Sequence, residues 1–447
     1  MVKLFKLHKF FGLLAGLVLL ILGVSGFFLD HKQWSFLYTT TFTSLPQSAY
    51  KTDKQLFDAY YVDPQNTQHT IVGGKRGIFE SFDDGKNFKQ ISSLQCLGIR
   101  SDEKNIFVAT NDGIYTLDAS TLSPFALGGN YISAISLSDT KVVAIIEKHT
   151  LVTIQRQNPK ELSQHIIAID SSKLQDDIKL SRFVRDLHYG RGYFDGNLSL
   201  YINDYGAIVL SLLALSGYFI WFYIHKKKKP KVSRKLIKWH ANWFAVISLI
   251  PLLILAVTGV FLDHSHALSK FMKSITIPNA ILPPVYSTLQ HDIWSVDYDG
   301  KTYRIGNRYG VYKSTDLTTW EQDSKGLAYR MFRHKEILYV SGMGAPNRIY
   351  DGEWKILKGA PHMFRDLIID ADGVNYFSPR SSKRPLPTFE DATLYALMMT
   401  LHDGTFFASW WVWVNDFVCF ALVVLGVTGT LRWREKKRTL KQKQIFS

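Results

Sequence analysis

The chain has 447 residues, 46% of them hydrophobic and 14% aromatic, with two cysteines, 20% charged residues and a formal net charge of +15. That aromatic content excludes a disordered chain, and two cysteines exclude a disulfide scaffold. A mean hydropathy of −0.03 at this charge content requires the apolar residues to be clumped, and the excess positive charge sits beside the clumps.

The first clump, Phe10 to Leu29, is uncharged and follows Lys3, Lys6 and Lys9. A bilayer crossing needs about 20 apolar residues, so residues 1–31 are assigned to transmembrane helix 1. The run is long and no Ala-x-Ala site follows, which favours a retained span over a cleaved leader. Residues 32–197 form a first extracytoplasmic domain. Its alternating runs, such as Gly77-Ile78-Phe79 and Gly113-Ile114-Tyr115, broken by turns such as Asp84-Gly85, predict β structure. Ser81-Phe82-Asp83-Asp84-Gly85-Lys86-Asn87-Phe88 resembles the Asp-box hairpin of β-propeller blades and is read as a turn-stabilising device rather than a sugar site. The uncharged stretch Tyr205 to Ile224 places helix 2 over 198–225, and a basic link covers 226–238. Trp243 to Leu262 places helix 3 over 239–264. A second β domain over 265–400 carries Gly310-Val311-Tyr312 and a degenerate Asp-box at Ser314 to Trp320. Phe406 to Leu431, with one internal acid at Asp416, places helix 4 over 401–433 before the basic tail 434–447.

Lysine and arginine crowd one set of span ends: Lys3, Lys6 and Lys9, then Lys226 to Lys229 with Lys231, Arg234, Lys235 and Lys238, then Arg432 to Lys443, where Glu435 is the only acid. By the positive-inside rule both termini and the central link are cytoplasmic and both β segments face outward. Basic residues used as topology signals dispose of a nucleic-acid reading. Cys96 falls outside and Cys419 within the membrane, so the two do not pair.

The chain also repeats itself. Leu7-His8 recurs as Trp239-His240, Ser25-Gly26 with Asp30-His31 as Thr258-Gly259 with Asp263-His264, Leu187-His188-Tyr189-Gly190 as Leu401-His402-Asp403-Gly404, Asn203-Asp204 as Asn415-Asp416, and Ser216-Gly217 as Thr428-Gly429. The expected fold is an α-helical integral membrane bundle of four spans, made of two tandem repeats with N and C termini inside, carrying two mainly β extracytoplasmic domains.

Six histidines occupy equivalent span ends. From His8 to His31 is about 35 Å of helix, against a bilayer core of about 30 Å, so the two mark opposite boundaries, as do His240 and His264. Ionisable groups at such positions are costly and usually functional. Imidazoles on facing helices can ligate haem, and a flat macrocycle needs small neighbours, which Gly26, Gly217, Gly259 and Gly429 supply beside their Ser or Thr.

These motifs resemble the PepSY-associated transmembrane-helix family: a His start and Ser/Thr-Gly end of one span, an outer domain, then Leu-His-x-Gly before a span ending in Ser/Thr-Gly-x-x-x-Trp. Relatives in that family include inner-membrane reductases of ferric iron or ferric siderophores that carry b-type haem, and the resemblance places the family's histidines at His8, His240, His188 and His402. It implies an inner-membrane oxidoreductase that delivers electrons across the membrane to ferric iron, free or chelated, on the periplasmic side and so supports a ferrous iron transporter. The alternative is a haem-free assembly or regulatory membrane protein with partner-binding β domains. Under the first reading at least two bis-His haem b groups are expected: His8 with His240 at the inner level, and two of His31, His264, His188 and His402 at the outer level. Without a Gly-x-Gly-x-x-Gly after a strand, and with no room for a flavin or nicotinamide domain, electrons come from quinol or a separate flavoprotein. Ferric iron prefers oxygen and then imidazole ligands, so His264 and His266 in Asp263-His264-Ser265-His266 are the expected catalytic acceptor-side residues.

Overall fold

The computed structural model describes residues 2–102, 104–174, 177–191, 194, 197–226, 229–282, 285–289, 291–370 and 373–445. The chain divides into two compact units, one of residues 1–49, 178–284 and 392–447 and the other of residues 50–177 and 285–391.

The first unit is helical: α1 (Val2–Asp30), α2 (Leu180–His188), α3 (Leu198–His225), α4 (Pro230–His240), α5 (Trp243–Ile247), α6 (Leu249–Asp263), α7 (Leu394–Asp403) and α8 (Val412–Ile445). Among the described residues three helical stretches are long and apolar enough to cross a membrane: Leu4–Asp30, Leu198–His225 and Val412–Glu435. Four helices share one core, in which Ala15 and Leu19 of α1 meet Leu210 of α3, Leu252 and Ala256 of α6, and Val418, Ala421 and Leu422 of α8. Small residues set the close approach of α1 to α3, where a Cβ on Gly23 would lie 2.6 Å from Ser211 Oγ and 3.1 Å from the Ala207 carbonyl. Apolar residues such as Leu17, Phe219, Ile250 and Phe420 are more than half exposed, as lipid-facing residues are.

The third apolar stretch departs from expectation. Instead of one helix over 239–264, Pro230–Ile247 and Leu249–Asp263 meet at 69°. Asn242 starts α5 afresh by accepting the Trp243 N–H on its side chain, and Pro251, three residues into α6, has no N–H to return to Ile247. The 15 residues of α6 reach only about 22 Å. The expected helix over 401–433 is likewise interrupted, because α7 ends at Gly404, whose φ of +80° reverses the chain. The turn after His188 depends on Gly190, with φ +60° and no room for a Cβ beside Asn203 and the Ser199 carbonyl. Gly192 and Gly196, the other glycines of that link, lie outside the described residues.

The second unit is built of antiparallel sheets. Five have four strands in sequence order, spanning 57–92, 96–126, 132–166, 295–325 and 328–356, and a sixth pairs Asp366–Asp370 with Gly373–Phe377. The first strand of each sheet adjoins the first strand of the next. The circle closes where the Tyr60 N–H donates to Asp366 Oδ2 at 3.1 Å and Phe57, Tyr60 and Phe79 pack with Ile368 and Phe377. The result is a six-sheet ring of propeller type. Sequence reading assigned the β segments to separate domains over 32–197 and 265–400. They form one unit because the third and fourth sheets need each other: the Tyr298 N–H donates to Ser136 Oγ at 3.0 Å, and Ala134 and Val143 share a core with Val296 and Tyr312.

Both Asp-box segments are tight turns between third and fourth strands. Asp83 accepts from Ser81 Oγ at 2.7 Å and from the Asn87 N–H at 2.9 Å, and its hydrogen bonds from Asn87 hold its carboxyl at about 2. Asp316 accepts from the Thr318 and Thr319 N–H groups and from Ser314 Oγ, and Trp320 is buried behind it.

Candidate functional site

The helical unit brings four of the six span-end histidines together as two pairs. His8, in the first turns of α1, faces His240, the last residue of α4, with ring centroids 6.3 Å apart and planes at 88°. His188, the last residue of α2, faces His402 of α7 with centroids 6.4 Å apart and planes at 62°. Along α1, the stretch from His8 to Ser25, which contacts His402, spans about 26 Å, so the pairs lie at two levels of the bundle.

Each imidazole is held from behind by a hydroxyl. His8 Nδ1 lies 2.8 Å from Thr428 Oγ1, His240 Nδ1 2.7 Å from Ser216 Oγ, His188 Nδ1 3.0 Å from Thr258 Oγ1 and His402 Nδ1 3.0 Å from Ser25 Oγ. A hydroxyl has one proton, and all four are already committed to the preceding turn of their own helix: Thr428 to the Val424 carbonyl, Ser216 to Leu213, Thr258 to Ile254 and Ser25 to Ile21. The hydroxyl oxygen therefore accepts from the ring, which fixes the proton on Nδ1 and leaves the Nε2 lone pair free in every case.

The glycine after each hydroxyl makes room for the ring. A Cβ would stand 3.3 Å from His402 Cε1 at Gly26, 3.5 Å from His188 Cε1 at Gly259, 3.5 Å from His8 Cε1 at Gly429 and 3.8 Å from His240 Cε1 at Gly217. A methyl group would just fit at Gly217, whereas a branched side chain at any of the four would displace an imidazole.

Such pairs suit one metal atom between two nitrogens. Metal–imidazole bonds of about 2 Å place the two ring centroids about 6 Å apart, close to both observed separations. Among the described residues no three His, Cys, Asp or Glu side chains gather as a bare ion would require. Two facing imidazoles would instead suit a group that brings further ligands of its own, as haem does.

His31 and His264 are in neither pair. His31 is buried, with Nδ1 donating to the Phe27 carbonyl at 2.9 Å and Nε2 3.5 Å from Asp204 Oδ2. His264 Nε2 lies 2.7 Å from Asp416 Oδ2. Sequence reading had both as possible outer ligands and His264 as an acceptor-side residue; their carboxylate partners take them out of the pairing, and of the two histidines in that motif only His266 is exposed. Asp30 and Asp263, the residues before His31 and His264, interact with Asn203 and Asn415. These asparagines also donate to the His188 and His402 carbonyls at 3.3 and 3.2 Å and so tie the histidine-bearing helix ends to α3 and α8. The recurring Asn-Asp pair was visible in the sequence, but its role was not.

No curated protein matches the chain. Among solved structures it is similar to the extracellular domain of BT4673 from B. thetaiotaomicron, at 11% identity and a TM-score of 0.33 over 75% of this chain and 35% of that one. It is also similar to an ancestral GH74 enzyme, at 10% identity and a TM-score of 0.32 over 75% and 35%, and to YCF48 bound to D1 peptide, at 10% identity and a TM-score of 0.31 over 72% and 73%. The chain thus spans about a third of the length of the first two. The family model for the PepSY-associated TM region matches residues 5–436, nearly the whole chain and every histidine described above, and the protein belongs to that family.

Proposed function

We propose that this protein is a haem-containing reductase of the bacterial inner membrane, with four spans in two repeats and both β segments on the periplasmic side, that passes electrons to ferric iron, free or chelated, at the outer face. The observation that carries the reading is the pair of imidazole pairs at two levels, each ring with Nδ1 capped by a hydroxyl and its flank cleared by a glycine. A bound haem b at each level would supply a one-electron couple. The chain's own residues do the rest: His8 with His240 and His188 with His402 would hold the group through Nε2, Ser25, Ser216, Thr258 and Thr428 hold the tautomer, and the apolar faces of α1, α3, α6 and α8 exclude water.

The basic span ends favour cytoplasmic termini, and the contacts recur with the halves of the chain exchanged, as a pseudo-twofold repeat requires. Ferrous iron made at the outer face would feed a ferrous transporter. Quinol or a separate flavoprotein supplies the electrons, and exposed His266 is the acceptor-side residue in this scheme. A pyridine haemochrome assay on the purified chain tests the reading, with two haem b per chain and reoxidation of the reduced protein by ferric citrate as the expected results. A folded, haem-free protein would overturn it and return the chain to the reading of an assembly protein whose β ring binds a partner.

A further inference from the structure

The two His–Asp dyads play no part in holding the imidazole pairs, yet they recur as faithfully. In the first, the side chains of His31 and Asp204 are 10% and 13% exposed; in the second, those of His264 and Asp416 are 21% and 22% exposed. In both, one carboxylate oxygen faces imidazole Nε2, while the other, Asp204 Oδ1 or Asp416 Oδ1, is buried without a hydrogen-bond partner among the described residues. A buried acceptor left open costs free energy unless a donor arrives, and here it is left open twice at matching places. Asp30 and Lys32 flank the first dyad and Asp263, Asp403 and Cys419 the second.

The surroundings limit what that donor can be. Trp34 lies on His31 with ring centroids 4.0 Å apart and Phe27 at 4.9 Å, and Trp413 lies at 5.0 Å from His264. A lipid-soluble, flat molecule with a hydroxyl is the kind of donor that suits a carboxylate oxygen set between apolar helices and aromatic rings. Resting on the reductase reading, which needs a reductant the chain does not carry, we propose that each dyad is the proton-accepting end of a site for a lipid-soluble hydroquinone.

The step balances as one hydroquinone and two ferric ions giving one quinone, two ferrous ions and two protons. Both O–H bonds break. The first hydroxyl proton passes to the open oxygen Oδ1, leaving a neutral carboxyl group whose other oxygen, Oδ2, faces imidazole Nε2. In the first dyad the Nδ1–H bond to the Phe27 carbonyl keeps that nitrogen available as a base. The second proton follows once the first has left to water at the helix end.

The test uses the full-length protein with duroquinol and duroquinone as probes. The double variant Asp204→Asn/Asp416→Asn should bind duroquinone at least tenfold more weakly by calorimetry and lose at least tenfold in duroquinol-driven reduction of ferric citrate. Dithionite should still bleach and shift its visible absorbance as in the parent. Each single variant should retain one binding site of two, and Asp204→Glu/Asp416→Glu should recover binding, which guards against a folding defect. Parental binding and parental duroquinol oxidation in the double variant would overturn the proposal and leave the dyads as helix clasps closed by water. A parent protein without dithionite-sensitive absorbance would instead sink the reductase reading, while duroquinone binding would still decide the role of the dyads.

Discussion

Replacing Thr428 by Val removes one hydroxyl while keeping the shape of the side chain, and so isolates the hydrogen bond behind His8. In the parent the ring donates across 2.8 Å to an oxygen whose own proton is committed to Val424. Without it, Nδ1–H loses its 2.8 Å partner and keeps only the backbone carbonyl of Leu425, and a poorly paired buried donor costs up to about 1–3 kcal/mol. The ring makes full use of that carbonyl only by turning, or else moves its proton to Nε2, and either change disturbs the lone pair a metal needs. The loss therefore falls on the ligand-competent state, and about 1.4 to 2.7 kcal/mol corresponds to roughly 10- to 100-fold in affinity, the range typical when the partner of a ligating histidine is removed. Haem titrated into apo-protein in detergent, with transfer to an excess of apomyoglobin as a second readout, measures this directly. Thr428→Val should weaken one of two binding events by that factor, and Thr428→Ser should restore it. Equal affinity in Val and parent proteins, or a Ser variant as weak as Val, would refute the argument that the hydroxyl fixes the ligand.

Four further outcomes are expected. His8→Ala or His240→Ala should each remove one haem equivalent and leave the second, with His188→Ala and His402→Ala doing the converse; haemochrome ratios distinguish the cases. Gly26→Val should lower haem occupancy at the outer pair, since even a Cβ there would lie 3.3 Å from His402, whereas Gly217→Ala should be tolerated at 3.8 Å from His240; occupancy and thermal midpoint report both. Reporter fusions after Lys229 and Lys443 should be cytoplasmic and fusions near Asp102 and Asp323 exported. The Asp83 carboxyl, held at about 2 against an ordinary 3.8, contributes stability that is complete above the ordinary value and drains away as pH falls through about 2; thermal melts over that window should show less acid sensitivity in Asp83→Asn.

Periodicity and charge make three of the helices, their order and the inner histidine pair legible from the residues alone. His8 and His240 sit at matching ends of equivalent motifs, and helix rise sets their depth. The outer pair is not legible in the same way, because four histidines share that region and the depth of His188 depends on the reversal at Gly190, a backbone event that no residue count reveals. The broken third helix is half visible: Pro251 is in plain sight, but the restart at Asn242 depends on a cap that is recognised only once the chain has turned. The β segments read correctly as short strands and wrongly as two domains. Strand patterns specify pairing within a sheet, whereas packing of first strands around a ring depends on side chains such as Asp366 and Tyr60 that are far apart in sequence.

The hydroxyl–glycine pairs show why the site escapes a residue-by-residue reading. Each looks like clearance, because the hydroxyl has no obvious partner within its own half of the chain. In the structure every ring-to-hydroxyl contact crosses between halves: His8 to Thr428, His188 to Thr258, His240 to Ser216 and His402 to Ser25. Each half thus supplies one imidazole at each level and the hydroxyl that orients the other half's imidazole. Neither half can build an imidazole pair alone, so a group held at either level would also join the two halves. A group bound at one level should raise affinity at the other by reducing the freedom of α1 against α8 and of α3 against α4 and α6.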